Sequence, residues 1–473
     1  MKVVACDLRL KSYDLCAMNK VRVYRAIKIG CFALVLLMVL APIMPFHDDW
    51  WYLTAPNIEF TWGDLLPNGS FWRPFDAMFG GILGVFPSWF PWANKVAIIL
   101  AHVLNIVILN RVLCQFRKAD PMPDFQRMLS LGILAFSSAT VASLVNTDTI
   151  NQVWCITFGL CGTYFMLKSD KRYYPTSAAV CFFISILIKE SGVAWLAVAP
   201  LMDYVRNRES KTLCLRALLG FVVLVIYFTM RFLSQGSMVL SGEEYYTISF
   251  EPAKVISNFA VGIMMGWSAI DGLAFFTGKY ILFGATVVLS LTGWILLLTA
   301  MFKSAVRENM RRMCIGVLMV LAFVAPHCFF KYFHPAELHL YSVVAGVAIF
   351  LGCVRISERE ALGVRLGAAC LLILFALGWC DKITEIYDRS ERMRNVLSKI
   401  VETGVSLEKP VAFVVKEKPL MGCYSVYSQP VTHGFGKNTA FKVLNGWRET
   451  KAVVVTSDEI SSLPSDVRVV RLD

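Results

Sequence analysis

The sequence predicts an all-α polytopic membrane protein of about eleven transmembrane helices, closed by a small extracytoplasmic α/β domain. Three observations predict it. Of 473 residues, 57% are hydrophobic and 17% are charged, against about 45–50% and about 25% in an ordinary soluble domain. The apolar residues gather in runs of roughly 20, the length that crosses a hydrocarbon core of about 30 Å. The basic residues behind the net charge of +12 lie in alternate loops, at 2–28, 111–127, 168–172, 206–216, 303–312 and 355–365, while the loops between them are nearly bare, with isolated Arg73, Lys189, Arg231 and Lys331. Loops rich in Lys and Arg resist translocation, so this alternation is a topology signal rather than a nucleic-acid-binding patch.

The N-terminus is therefore cytoplasmic. The expected spans run over 29–46, 94–112, 128–145, 149–167, 176–188, 191–205, 213–233, 279–302, 313–330, 339–355 and 366–381. The first run is longer than a signal-peptide core and lacks a small-residue cleavage site, so it is read as a retained helix. It is followed by a long outer loop, 47–93. Residues 176–205 are read as two short helices, because both flanks are basic and a single helix would bury Lys189 and Glu190 at its centre, at roughly 2.5–3.5 kcal/mol for a charge there. The stretches 75–92 and 255–277 are apolar but broken by Gly, Pro and Trp, and are read as interfacial or re-entrant helices on the outer side. Trp50, Trp51, Trp62, Trp72, Trp89 and Trp92 suit the interfacial layer.

Residues 1–381 thus form the membrane module and 382–473 an outer domain, with an amphipathic helix over 382–401 and strands at Val411–Val415, Ala452–Thr456 and Val467–Val470. The cysteines show neither a disulfide framework nor metal-type spacing.

On this topology the ionisable residues of the outer loops face one compartment. Asp48 and Asp49 follow the first helix at once, where the scaffold holds them. A partly desolvated carboxylate beside a like charge has a raised pKa, and a positioned one can act as general base toward a hydroxyl. Arg73, Lys189 and Arg231 suit a phosphate, by planar fork or point charge. Each also has a structural alternative: interfacial anchoring for Arg73, an ion pair with Glu190 for Lys189, and snorkelling for Arg231. His334, Glu337 and His339 are spaced like metal ligands, but Pro335 argues against the helical geometry of zinc proteases, which favours hydrogen bonds to a sugar or pyrophosphate, joined by Tyr341. His47, Trp72 and Glu190 complete the expected substrate contacts. His102, beside Asn105, reads as a satisfied polar residue between helices.

These features resemble the GT-C superfamily of membrane glycosyltransferases, which includes protein O-mannosyltransferases, aminoarabinose transferases and bacterial serotype-converting O-antigen glucosyltransferases. The resemblance rests on the acidic pair after the first helix, the long first outer loop, Lys189-Glu-Ser-Gly192 between two short spans, and the extracytoplasmic tail; size and tail are most similar to the last group. It implies a bacterial inner-membrane enzyme with a periplasmic C-terminus. Its donor would be a polyprenyl-phosphate sugar, a hexose such as glucose, and its acceptor a glycan or lipid-linked molecule such as lipopolysaccharide O-antigen. It implies Asp48 or Asp49 as base, inversion at the sugar carbon, and Arg73, Lys189 and Arg231 on the donor phosphate. Some relatives use a divalent cation, Mg or Mn; no DxD-type run is present, so the metal stays open. The rival classes are a transporter or flippase, which needs charges deep in several helices, and a polymerase or ligase of lipid-linked sugars, expected to rely on Arg/His-rich outer loops.

Overall fold

The computed structural model describes residues 27–46, 49–50, 74–75, 92–168, 174–235, 249–304, 306–329, 337–416, 427, 430–436, 439–445, 448 and 450–472. A helix overlaps each expected span, in whole or in part: α1 (Ile27–Leu40), α2 (Trp92–Phe116), α3 (Asp124–Phe136), α4 (Ile150–Leu167), α5 (Tyr174–Ile188), α6 (Trp195–Asn207), α7 (Ser210–Gln235), then, after α8 (Pro252–Gly262), α9 (Tyr280–Ser304), α10 (Val306–Cys328), α11 (Leu340–Cys353) and α12 (Ala361–Glu402). Among the described residues, seven stretches are long and apolar enough to cross a bilayer, and α1, α5 and the Glu337–Cys353 helix are shorter apolar ones. The chain is a multi-pass membrane protein.

Helix composition decides which elements face lipid. On α7, Leu215, Leu218, Phe221, Val222 and Val225 are exposed, an apolar surface that water would disfavour and acyl chains accept. By contrast, α11 is buried at every position, as expected of a helix that is apolar all round. Its last carbonyls have no partner within the helix. Gln126 Nε2 donates to Leu351 O and Val354 O (2.7 and 2.6 Å), Arg117 to Val354 O (3.0 Å) and Arg312 to Cys353 O (3.2 Å). Cations suit a helix C-terminus, so part of the basic charge at 111–127 and 303–312 closes this buried helix end.

The turn between α5 and α6 falls where the charges demand it. Lys189 is extended (φ −153°, ψ 136°) and a 3-10 turn over Glu190–Ala194 leads into α6. Gly192 passes so near Ser185 that a Cβ there would stand 2.7 Å from the Ser185 carbonyl carbon; only glycine fits. Within 255–277 the chain forms α8, a π turn (Ile263–Trp267) and a short helix (Gly272–Phe276), none long enough to cross a bilayer. Residues 76–91 lie outside the described ones.

The expected break between a last span and an amphipathic helix is absent. α12 runs unbroken for 42 residues, because no Gly or Pro follows Gly378 before its end. It carries the chain into a three-stranded parallel sheet of β1 (Val411–Val415), β2 (Ala452–Thr456) and β3 (Arg468–Arg471), in the order β2-β1-β3. Val411 pairs with Ala452 and Arg468, and Phe413 with Val454 and Val470. Alternate side chains go to opposite faces. Ala412, Val414 and Val455 pack under Ile460, Leu463 and Val467. Val411, Phe413 and Val415 pack with Phe435 and Phe441, with Met393 and Ile400 of α12, and with Phe46 and Trp50 from the far end of the sequence.

That last contact corrects one expectation. Trp50 is buried inside the C-terminal domain, its indole N–H donating to Gly434 O at 2.9 Å, rather than lying in an interfacial belt or stacking on a sugar. A domain face rich in Phe offers the ring more contact than the headgroup layer does.

Candidate active site at one end of the bundle

Four polar bonds, two from Lys95 and two to Asp49, fix the chain just after α1. Lys95 on α2 donates to Leu40 O and, at 3.1 Å, to Ile43 O, taking up carbonyls left free at the helix end. Asp49 Oδ2 then accepts the Phe46 N–H at 2.9 Å, and its Oδ1 accepts the Asp148 N–H at 2.9 Å. Asp49 is only 2% exposed. Burial raises its pKa above the ordinary 3.8; the two backbone N–H groups, the nearby Thr147 hydroxyl and the Arg389 charge act the other way without cancelling it. A carboxylate lifted toward neutrality while its orientation is fixed has the properties of a general base.

Asp148 belongs to the 3-10 turn Thr147–Thr149, which opens α4. In the first turn of α4, Gln152 Nε2 lies 2.8 Å from His339 Nδ1. His339 stacks on His327, and the charges of Lys189 and Glu190 face His327 in turn. One turn along α4, Cys155 Sγ contacts Lys189 O at 3.8 Å. Arg231 of α7 donates to Glu190 at 2.9 Å and to the Tyr227 hydroxyl. The structure therefore brings Asp49, Lys189, Glu190, Arg231 and His339 to a single end of the bundle. Glu337, buried at the entrance to α11, lies at the same end.

Glu190 pairs with Arg231, where the sequence reading considered Lys189. Tyr341 does not reach the site. Its hydroxyl is fully buried between α2 and α11, accepting from Asn105 Nδ2 (3.0 Å) and paired with His102 Nδ1 (2.8 Å). It supplies one partner to each member of the polar pair on α2 inside an apolar bundle, and His102 is the polar residue between helices that was expected, bonded through its Nδ1. His47, Asp48, Trp72, Arg73 and His334 lie outside the described residues. Among the described residues no group of three His, Cys, Asp or Glu is placed to hold a metal ion.

Sequence reasoning missed His327, Lys95, Gln152 and Arg389. Each sits within a helical run, where its neighbours read as membrane or amphipathic helix, and only the fold shows what it faces. A second charged group lies near the start of α9, where Lys279 Nζ bridges Asp381 (2.5 Å) and Glu385 (2.6 Å). Tyr427 is buried beside it with Lys382 Nζ 5.6 Å from its ring centroid. Burial, with Glu337 and Asp271 nearby, pushes the Tyr427 hydroxyl well above its usual pKa.

No protein-family model matches the chain, and no curated protein matches it. Among solved structures, it is similar to ArnT from Cupriavidus metallidurans bound to undecaprenyl phosphate, with a TM-score of 0.45 and 13% identity over 93% of this chain and 90% of that one. It is also similar to the Archaeoglobus fulgidus oligosaccharyltransferase in complex with Zn and sulfate, with a TM-score of 0.41 and 14% identity over 74% of this chain and 53% of that one.

Proposed function

We propose that this chain is a membrane glycosyltransferase of the GT-C type, moving a hexose, with glucose the first choice, from a polyprenyl-phosphate donor to a cell-surface glycan such as lipopolysaccharide O-antigen. It would do so on the periplasmic side of a bacterial inner membrane. The observation that carries the reading is Asp49: a buried carboxylate of raised pKa, pinned by two backbone N–H groups at the edge of the apolar bundle and sharing that edge with Lys189, Glu190 and Arg231.

In this reading one carboxylate of the Asp48-Asp49 pair takes the proton of the acceptor hydroxyl as its oxygen bonds to the anomeric carbon. The bond from that carbon to the phosphate oxygen breaks on the opposite face, which inverts the centre, and the lipid phosphate departs with the electron pair. Lys189, Arg231 and Arg73 offset its growing charge. His47, Trp72, Glu190, His334, Glu337 and His339 are the proposed contacts to the sugar and its phosphate. A divalent cation, Mg or Mn, is an open element of this scheme, and no step above depends on it.

The test supplies membranes containing the protein with polyprenyl-phosphate glucose labelled in the sugar, alongside labelled nucleotide sugar. The reading expects glycosidic product from the lipid donor alone. Movement of labelled lipid across the bilayer without glycosidic product would instead identify a flippase.

A further inference from the structure

The chain between α1 and Asp49 is gripped by one stripe of α12. Tyr387 donates its hydroxyl to Val39 O, Ser390 Oγ accepts the Met44 N–H at 3.2 Å, and Arg394 donates to Pro42 O. Positions 387, 390 and 394 recur at i, i+3 and i+7, so they share a face. Beside that stripe the Arg389 guanidinium carbon sits 3.7 Å from the centroid of the Phe46 ring, within the range of a cation–π contact. Phe46 is the residue whose N–H Asp49 accepts, and Trp50, on the other side of Asp49, is tied to Gly434 O. Asp49 thus lies between two residues, Phe46 and Trp50, that are held by α12 and by the C-terminal domain.

A carboxylate as buried as Asp49 needs a counter-charge to ionise. Two cations face it: Lys95 from α2 and Arg389 from α12. Lys95 already donates to two carbonyls. From residues 147 and 148, Asp49 meets the Asp148 N–H and the Thr147 hydroxyl. Arg389 is itself faced by Tyr427 and Arg392.

We propose that Arg389 is a positioning residue for the transfer reaction, holding Phe46, and through its N–H the Asp49 carboxylate, in place and supplying the counter-charge of that carboxylate. It acts through Asp49 and Phe46, without touching substrate. The inference rests on the base role given above to the Asp48-Asp49 pair, and it assigns the extended α12 and its domain a part in building the site.

The experiment measures transfer from polyprenyl-phosphate glucose between pH 5 and 9 with the full chain in membranes, for wild type, R389M, R389K, D48N and D49N, alongside thermal unfolding. Removing the guanidinium favours the protonated carboxyl, so the acid limb of kcat moves upward by about half a pH unit or more in R389M, with KM for the donor within about twofold. R389K restores the limb toward wild type. A kcat profile of unchanged shape in R389M, or a uniform loss that follows only the loss of folded protein, overturns the proposal. Where R389M does not fold, R389Q takes its place and the same displaced or unchanged limb decides. If D48N and D49N both transfer at the wild-type rate, the base reading fails; if D49N is inactive and the Arg389 variants keep the wild-type profile, only the positioning role fails.

Discussion

His327 near the end of α10 and His339 at the entrance to α11 lie face to face, their ring centroids 4.1 Å apart and 9° from parallel. The stack lies between Gln152 on one side and the charges of Lys189 and Glu190 on the other. Two imidazoles so placed offer ring N–H groups to an anionic ligand.

Replacing His327 by Phe keeps the stacked ring and removes its nitrogens. We expect KM for the lipid donor to rise about tenfold, the worth of one charge-assisted hydrogen bond, with kcat within about threefold. Steady-state kinetics over donor concentration decide this, and an unchanged KM removes His327 from the donor site.

The Glu190–Arg231 pair makes a stability prediction. The Arg231 side chain is 5% exposed and that of Glu190 25%. Deleting one partner of a buried pair costs more than deleting a surface one, and with Glu190 partly solvated the cost of E190Q is about 2 kcal/mol. Denaturant unfolding in detergent checks it; a loss below about 0.5 kcal/mol means the pair is no more than a surface contact.

Tyr341 separates a structural from a substrate role. Y341F leaves His102 and Asn105 without their shared hydroxyl, so stability falls by about 1–2 kcal/mol while transfer stays within about twofold of wild type. A stable Y341F protein with transfer reduced more than tenfold would return the hydroxyl to the substrate.

How far the sequence could be read follows from cases like these. The helices were legible because each is an apolar run bounded by charge, and the hairpin at Lys189-Glu190 because basic flanks on both sides exclude a single span. The strands were legible from their β-branched runs, to within a residue. Trp50 was not, since a tryptophan behind an apolar run looks interfacial until the C-terminal domain is seen to close over it. Tyr341 misled because the loop before it is polar while its own helix is wholly buried. His327 and Arg389 carry no local signal: one is a lone histidine in an apolar run, the other one arginine among several on a charged helix.

The raised pKa of Asp49 fixes the sign of two pH effects. Because the folded value lies above the ordinary 3.8, the fold favours the protonated carboxyl. Its contribution to stability is complete below the unfolded value and is lost as pH rises through the elevated folded one. The same ionisation creates the proposed base, so transfer increases over the window in which this stability term declines. Unfolding free energies measured across pH 3.5–7 on wild type and D49N test this: the variant lacks the decline. A steeper decline in D49N contradicts it.

The central claim is that the carboxylates behind α1 take a proton during sugar transfer from a lipid phosphate. Single and double Asn variants at positions 48 and 49, assayed as folded protein in membranes with sugar-labelled polyprenyl phosphate, test it most directly. The account predicts that at least one single variant and the double variant lose transfer by a factor of about 100 or more, the scale of general-base catalysis, while still binding the donor lipid. Wild-type transfer by the double variant would contradict it.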